Sequence, residues 1–421
     1  METTVQEDVA ERSGPLTGVT VIDLSTVVFG PLTSQILADY GANVIKVEAP
    51  GGDSTRNTGP AIEKGMAAIF LGSNRSKRSI VLDLKQPKAC EAVVALSDRA
   101  DVFMHSMRPQ KLESLGISPE MLCTRNPRLV YAGLHGFAAG GPYSGRPAYD
   151  DIIQGMSGLV ALAQMQTGNP TYLPTIAADK TCAQIAAHAV LAALFARERT
   201  GRGGFVEIPM FEAMVAFNLV EHLYGQHFEP PLGDAGYPRV LTPWRRPYRT
   251  ADGLICMTPY TDRHWSRFFR EVGRADLESD PRFMGISSRT RHIRELLEIA
   301  AGYVASGTTA HWISTCDRLE IPAAPIADLD ELIEDPHLTS TGFFRHVDDP
   351  SMGRLRFTGV PVKFDGQRAS IAMPPRLGQD TRHVLREAGL DASAIDALIS
   401  SGAAVEHVVA PAVAAESKSR P

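Results

Sequence analysis

LTGVTVIDLSTVVFGPLTSQILADYGANVIKVE, residues 16–48, decides the fold. Val19–Leu24 is an apolar, β-branched run, Gly30-Pro31 opens a helix that reaches about Tyr40, Gly41 closes it, and Asn43–Glu48 is a second strand. The pattern continues through Ser79–Leu84, a helix over 87–99, Asp101–His105 and Leu129–Gly133. Apolar strands alternating with helices indicate a parallel sheet covered on both faces, a doubly wound, Rossmann-like α/β domain. Ligands of such sheets sit at the carboxyl ends of the strands. Here those ends are Ser25–Pro31, Ala49–Asp53 and His105–Pro109. The first turn lacks a GxGxxG pattern, which argues against a dinucleotide in the usual pose and against a dehydrogenase.

A second stretch, DKTCAQIAAHAVLAALFARERTGRG over 179–203, predicts a long alanine-rich helix buried on most sides, with Asp179 at its amino end. Unpaired N–H groups and the positive end of the dipole favour an ionised carboxylate there. Two readings stay open from position alone: a helix cap, or a carboxylate nucleophile at the floor of a pocket. A strand over 205–210 and a helix over 211–224 follow.

Residues 225–247 are rich in Pro and Gly and read as a linker between domains. The expected boundaries are an amino-terminal arm 1–14, a large domain 15–224, a smaller α+β domain 248–330, a return to the large domain over 331–402 and a flexible tail 403–421. The small domain carries a strand at 254–257 and helices near 262–272, 290–305 and 309–319. Strands at 354–357 and 360–364 and a helix at 379–388 come after it. With 48 acidic against 42 basic residues, the net charge of −6 speaks against a nucleic-acid partner. Five cysteines without CxxC or His/Cys ligand spacing argue against a zinc site and a disulfide framework, and fit a reducing cytoplasm. No run is long and apolar enough to span a membrane, and residues 1–15 are acidic and polar rather than a secretory signal.

Segments 16–56, 74–85 (NRSKRSIVLDLK), 100–109 (ADVFMHSMRP), 141–158 (GPYSGRPAYDDIIQGMSG), the helix end ALFARERTGRG, 248–257 (YRTADGLICM) and 374–385 (PPRLGQDTRHVL) together resemble class III CoA-transferases, the formyl-CoA and carnitine CoA-transferase family. The resemblance runs in order from about Leu16 to Leu390. It implies an interlocked homodimer whose large domain is built from both ends of each chain. It implies an acyl-CoA and a carboxylic acid as substrates, and no permanently bound cofactor or metal.

The family's nucleophile, an aspartate just before the long helix, falls on Asp179. Its chemistry runs through an aspartyl anhydride and an aspartyl–CoA thioester. The family's CoA contacts fall on Val27, Val28 and Phe29, on Asn74, Arg75 and Lys77, on Ser106, Met107 and Arg108, and on Tyr149 and Asp150. Val28 stands where a relative has a reacting-site glutamine, and Thr258–Asp262 where some have a glycine-rich loop. The basic loop reads equally as solvated surface. Arg245 and Arg246, with Arg239 close by, offer a fork for the distal carboxylate of a diacid, or are an exposed basic loop. The alternatives are an α-methylacyl-CoA racemase, whose histidine is missing from Ala148-Tyr149-Asp150, and a non-catalytic CoA-binding protein. His135 and His188 read as core or surface histidines.

Overall fold

Six parallel strands, β1 (Thr20–Leu24), β2 (Asn43–Glu48), β3 (Arg78–Leu82), β4 (Val102–His105), β5 (Val130–His135) and β6 (Gly204–Pro209), are ordered β3-β2-β1-β4-β5-β6. The strand order turns back between β1 and β4, the switch point at which doubly wound sheets bind ligands. The computed structural model describes residues 13–407. They form two compact units, one built from the described residues up to Tyr149 with Ala177–Ala213 and the residues from Ser340 on, the other from Asp150–Ile176 and Met214–Thr339.

In the second unit, β7 (Tyr248–Arg249), β8 (Leu254–Met257) and β9 (Ala323–Pro325) make a small antiparallel sheet. It packs with helices Asp262–Glu271, Ile293–Val304 and Thr309–Leu319 around Trp265, Phe268, Phe269 and Trp312. The linker stretch belongs to this unit, and so does Asp150–Ile176, which the expected boundaries assign to the large domain. Its ties are local: Asn218 donates to the Ser157 carbonyl at 2.8 Å and Gln166 to the Arg245 carbonyl at 2.9 Å.

The chain then returns to the first unit through the hairpin β10 (Phe344–Asp349) and β11 (Gly353–Thr358) and through β12 (Ala404–Val405), which pairs antiparallel with β3. Two expectations are corrected here. Residues 360–364 are not a strand, because Pro361 has no N–H for a ladder and only an isolated bridge joins Phe364 to Gln367. The tail does not begin at 403, since Ala403 and Ala404 are buried at the sheet edge and Asp83 N–H donates to the Ala403 carbonyl at 2.8 Å. Residues 1–12 of the expected arm and 408–421 of the expected tail lie outside the described residues.

The long helix spans Ala177–Thr200. Its buried stripe follows the 3.6-residue period through Asp179, Cys182, Ala183, Ala186, Ala187, Val190, Leu194 and Arg197. It is not buried on most sides: Gln184, His188, Ala192 and Phe195 face outward, Phe195 with 64% of its surface exposed.

Charge is buried inside the sheet as well as apolar side chains. Asp23 of β1 and Lys46 of β2 are register partners in adjacent strands. Lys46 Nζ donates to the Ser25 carbonyl at 2.9 Å and to Asp53 Oδ2 at 3.0 Å. Asp23 accepts the Ser25 N–H at 2.8 Å and the hydroxyls of Ser25 and Ser34. Glu48 takes Arg56 at 2.7 Å and the Ser79 hydroxyl at 2.7 Å. Burial pushes the carboxyls of Asp23, Glu48 and Asp53 upward. Lys77 and Lys46 at Asp23, Arg56 and Lys46 at Glu48, and Lys46 at Asp53, with hydrogen bonds at each, outweigh that penalty and hold all three below the ordinary carboxylate range.

The unfolded chain therefore binds protons more readily than the folded one. The stabilisation is fully present above the unfolded carboxylate values of about 4 and is lost as pH falls through the lower folded values. Denaturant unfolding across an acid series should show that loss. Lys46→Met should lower stability at neutral pH by about 3–5 kcal/mol and make the acid loss shallower, because Asp53 and Asp23 lose the cation that depresses them.

Candidate active site

A cavity of about 310 Å³ opens where β1, β4 and β5 end. The β1 turn lines it with Thr26, Val27 and Phe29, the β4 turn with Ser106, Met107 and Arg108, and Asp179 reaches it from the first turn of the long helix. The stretch from Leu134 to Tyr149 supplies much of the remaining wall, including His135, Arg146 and Tyr149.

The β1 turn is held from below and from the side. Ser25 N–H goes to Asp23, Thr26 N–H to the Ser106 hydroxyl at 3.2 Å, and Val27 N–H to Asp53 at 3.2 Å. Val27 sits at φ 71, a left-handed conformation that costs a β-branched residue about 1–3 kcal/mol and persists only where surrounding contacts enforce it. Gly30 is required behind it, since a Cβ there would lie 2.1 Å from the Ser25 Cβ. With these three N–H groups committed, the turn presents its carbon faces to the cavity.

The long wall segment is pinned by two carboxylates. Glu207 Oε1 accepts the Ala139 N–H at 2.9 Å and lies 3.0 Å from His135 Nδ1, while Glu212 Oε1 accepts the Ala138 N–H at 3.2 Å. Gly136 lets the segment fold back, because a Cβ there would meet the Ala148 Cβ at 2.3 Å. Phe137, Tyr143 and Phe211 pack as an aromatic cluster beneath it, and the Arg146 guanidinium lies 4.9 Å over the Tyr143 ring. Cys182, one turn beyond Asp179, is buried, and its Sγ donates to the Met210 carbonyl at 3.7 Å.

The structure gathers only part of the expected residue set. Asp179, Val27, Phe29, Ser106, Met107, Arg108 and Tyr149 line one cavity. Val28 is buried behind the turn and is not in the lining. Asn74, Arg75 and Lys77 are corrected from a CoA-facing basic loop to interior side chains. Arg75 is paired in both directions with Asp39, at 2.9 Å and 2.7 Å. Lys77 donates to the Pro31 carbonyl and to Asn74 Oδ1, both at 2.8 Å, and lies 3.5 Å from Asp23. Burial draws the Lys77 ammonium down to about 7, with Asp23 acting against that shift.

Asp150 opens a helix of the second unit, is buried, and accepts from Gln154 at 2.6 Å. Arg245 and Arg246 also belong to that unit, Arg246 stacking 4.9 Å over Trp244 and Arg239 lying 4.7 Å over Tyr260. Asp150, Arg239, Arg245 and Arg246 are not among the residues that line the cavity with Asp179. Arg146 is among several wall residues that the sequence reading does not single out, and His135, read there as a core or surface histidine, lines the cavity. The signal was present, for His105 and His135 both stand at carboxyl ends of sheet strands. Among the described residues no cluster of His, Cys, Asp or Glu could hold a metal ion, and no helix is long and apolar enough to cross a membrane.

A family model described as CoA-transferase family III matches residues 16–381. Similar proteins include the mouse succinyl-CoA:glutarate CoA-transferase, 31% identical over 93% of this chain and 91% of its own. The succinyl-CoA:mesaconate CoA-transferase of Haloarcula hispanica is 31% identical over 90% of this chain and 97% of its own. The orthorhombic crystal structure of Rv3272 from Mycobacterium tuberculosis matches with a TM-score of 0.75 at 31% identity, covering 89% of this chain and 99% of that one.

The interior placement of the basic loop sets a test. Lys77→Gln should cost about 3–5 kcal/mol in denaturant unfolding, because Asp23 is left buried beside one cation fewer. Arg108→Gln, at an exposed position on the cavity rim, should stay within about 0.5 kcal/mol of the parent protein.

Proposed function

The chain is a member of CoA-transferase family III, and from that footing we propose that it moves CoA from succinyl-CoA, or a similar acyl-CoA, to a dicarboxylic acid with Asp179 as nucleophile. One observation carries the assignment. Asp179 is the acidic residue of the long helix's first turn, and it lines the cavity at the sheet's switch point. The helix dipole favours its ionised form, the form that attacks. The diacid class comes from relatives named for glutarate and mesaconate.

The Asp179 carboxylate adds to the thioester carbonyl of the donor. The C–S bond breaks, CoA leaves as thiolate, and a mixed anhydride joins Asp179 to the acyl group. The thiolate attacks the aspartyl carbonyl of that anhydride, releasing the donor acid as a carboxylate and leaving CoA as a thioester on Asp179. The acceptor carboxylate enters and the two steps run in reverse, with no net proton, water or nucleotide consumed. Both intermediates are sensitive to water, so transfer depends on keeping water from the cavity while they stand.

Stabilising the developing oxyanion falls to groups other than Val28, which has no polar side chain. Thr26 and Val27 have already committed their N–H groups. The N–H groups of Phe29 and Gly30 open the helix Phe29–Asp39 without intrahelical acceptors and are suited to that task. The pantetheine arm runs along Val27, Phe29 and Met107, and Arg108 takes the nucleotide end. The working form is an interlocked homodimer in the cytoplasm. Phe195, with 64% of its surface exposed on the long helix, supports burial against a second chain. CoA enters and leaves as substrate.

Incubation with succinyl-CoA should leave a CoA adduct on the peptide carrying Asp179, seen by mass spectrometry. Asp179→Ala should abolish the adduct and lower transfer to glutarate by about a thousandfold or more, the scale on which a removed nucleophile acts. The reading fails if transfer persists in the variant. It fails equally if the wild type exchanges only the α-proton of a 2-methylacyl-CoA, which is racemase chemistry.

A further inference from the structure

Two buried ring nitrogens, one on the cavity-lining His135 and one on its neighbour His105, have no task in the chemistry above. His105 ends β4 with no solvent exposure, and its Nδ1 accepts the Met107 N–H at 3.1 Å. An accepting Nδ1 assigns the ring proton to Nε2, and that Nε2–H has no partner. His135 ends the neighbouring strand β5, with Nδ1 3.0 Å from Glu207 Oε1. An ionised carboxylate only accepts, so Nδ1 carries the proton and Nε2 offers a lone pair. That Nε2 is also buried and without a partner.

The orphan donor and the orphan acceptor belong to adjacent rings, with centroids 5.6 Å apart and planes at 51°. At that separation a small ring rotation, or one bridging water, joins Nε2 to Nε2. Gly133, the register partner of His105, makes the space, since a Cβ there would lie 3.0 Å from both Cε1 and Nε2 of His135. Burial, then the neighbouring His135, draws His105 down to about 3, so it remains a neutral donor in ordinary buffers.

We propose that His105 is a positioning residue that occupies the Nε2 lone pair of His135 and so keeps a general base out of the cavity that holds Asp179. The inference rests on the CoA-transfer reading, because its purpose is to protect the aspartyl–CoA thioester. A free Nε2 would promote hydrolysis. Water adds its oxygen to the aspartyl carbonyl and gives one proton to Nε2. The C–S bond breaks, the leaving CoA thiolate takes that proton, and the acid formed on Asp179 loses its remaining proton to solvent. With Nδ1 bound to Glu207 and Nε2 engaged by His105, neither ring nitrogen of His135 is left to act as a base.

The test compares CoA release from succinyl-CoA without acceptor against transfer to glutarate. His105→Asn keeps an acceptor for the Met107 N–H, removes the Nε2 donor and leaves room for water. Its hydrolysis-to-transfer ratio should rise about tenfold or more, within the range for general-base catalysis. His105→Gln, whose amide nitrogen takes the place of Nε2, should restore the parent ratio, and adding His135→Gln to the Asn variant should abolish the rise. An unchanged ratio in the Asn variant overturns the inference while leaving the transferase reading standing. Absence of transfer by the wild type overturns both. Imidazole nitrogen shifts of the wild-type protein give a readout independent of any variant's folding. Opposite tautomers at His105 and His135 are expected, and the same tautomer at both would sink the idea.

Discussion

Two lysine ammoniums inside the main sheet set the terms for everything around them. Lys46 and Lys77 are fully buried at their side chains, and each is matched to an aspartate similarly removed from water. A buried cation is tolerated only where its donors are met and a counter-charge stands close. Those needs place Asp23 on β1, bring Asp53 back over β2, and draw the Ser25 and Pro31 carbonyls inward. The turn between β1 and its helix is thus fixed at both ends by charge. The strained backbone at Val27 and the close approach at Gly30 follow from that clamp. The cavity rim is rigid because ions lie beneath it.

That arrangement explains which parts of the molecule could be read from the sequence. The βαβ series was legible because β1 to β5 are buried on both faces and rich in Val, Ile and Leu, a strong signal even with Asp23, Lys46 and Glu48 among them. The cavity lining was legible at Asp179 and at the ends of β1 and β4, where the general rule for doubly wound sheets and the family motif agree. The basic loop misled for a physical reason. Asn74-Arg-Ser-Lys77 has the composition of a phosphate-binding loop, but its partners Asp39, Asp23 and the Pro31 carbonyl lie far back in sequence. Nothing local distinguishes a lysine facing a phosphate from one facing a buried aspartate.

The long helix shows the same limit in another form. Its alanines and leucines run around the whole circumference, so composition predicted burial on most sides, whereas one chain covers only the stripe from Asp179 to Arg197. The histidines at the ends of β4 and β5 are the converse case. Each is unremarkable in its own stretch of sequence. Their chemistry comes from register, because His105 pairs with Gly133 and the missing side chain there lets the His135 ring lie alongside.

The edge strand β12 carries a consequence for how the molecule comes into being. It pairs with β3, and the helix Thr381–Glu387 before it packs on the same edge through Val384 and Leu385. A ribosome delivers β1 to β6 long before these pieces and makes most of the second unit in between. Throughout that interval the β3 edge, with its unpaired N–H and C=O groups, is an open template for another strand. From the end of β6 at Pro209 to β12 at Ala404, the nascent chain therefore carries a nearly finished sheet that later residues have yet to seal. Chaperone occupancy and misassembly during translation should concentrate there.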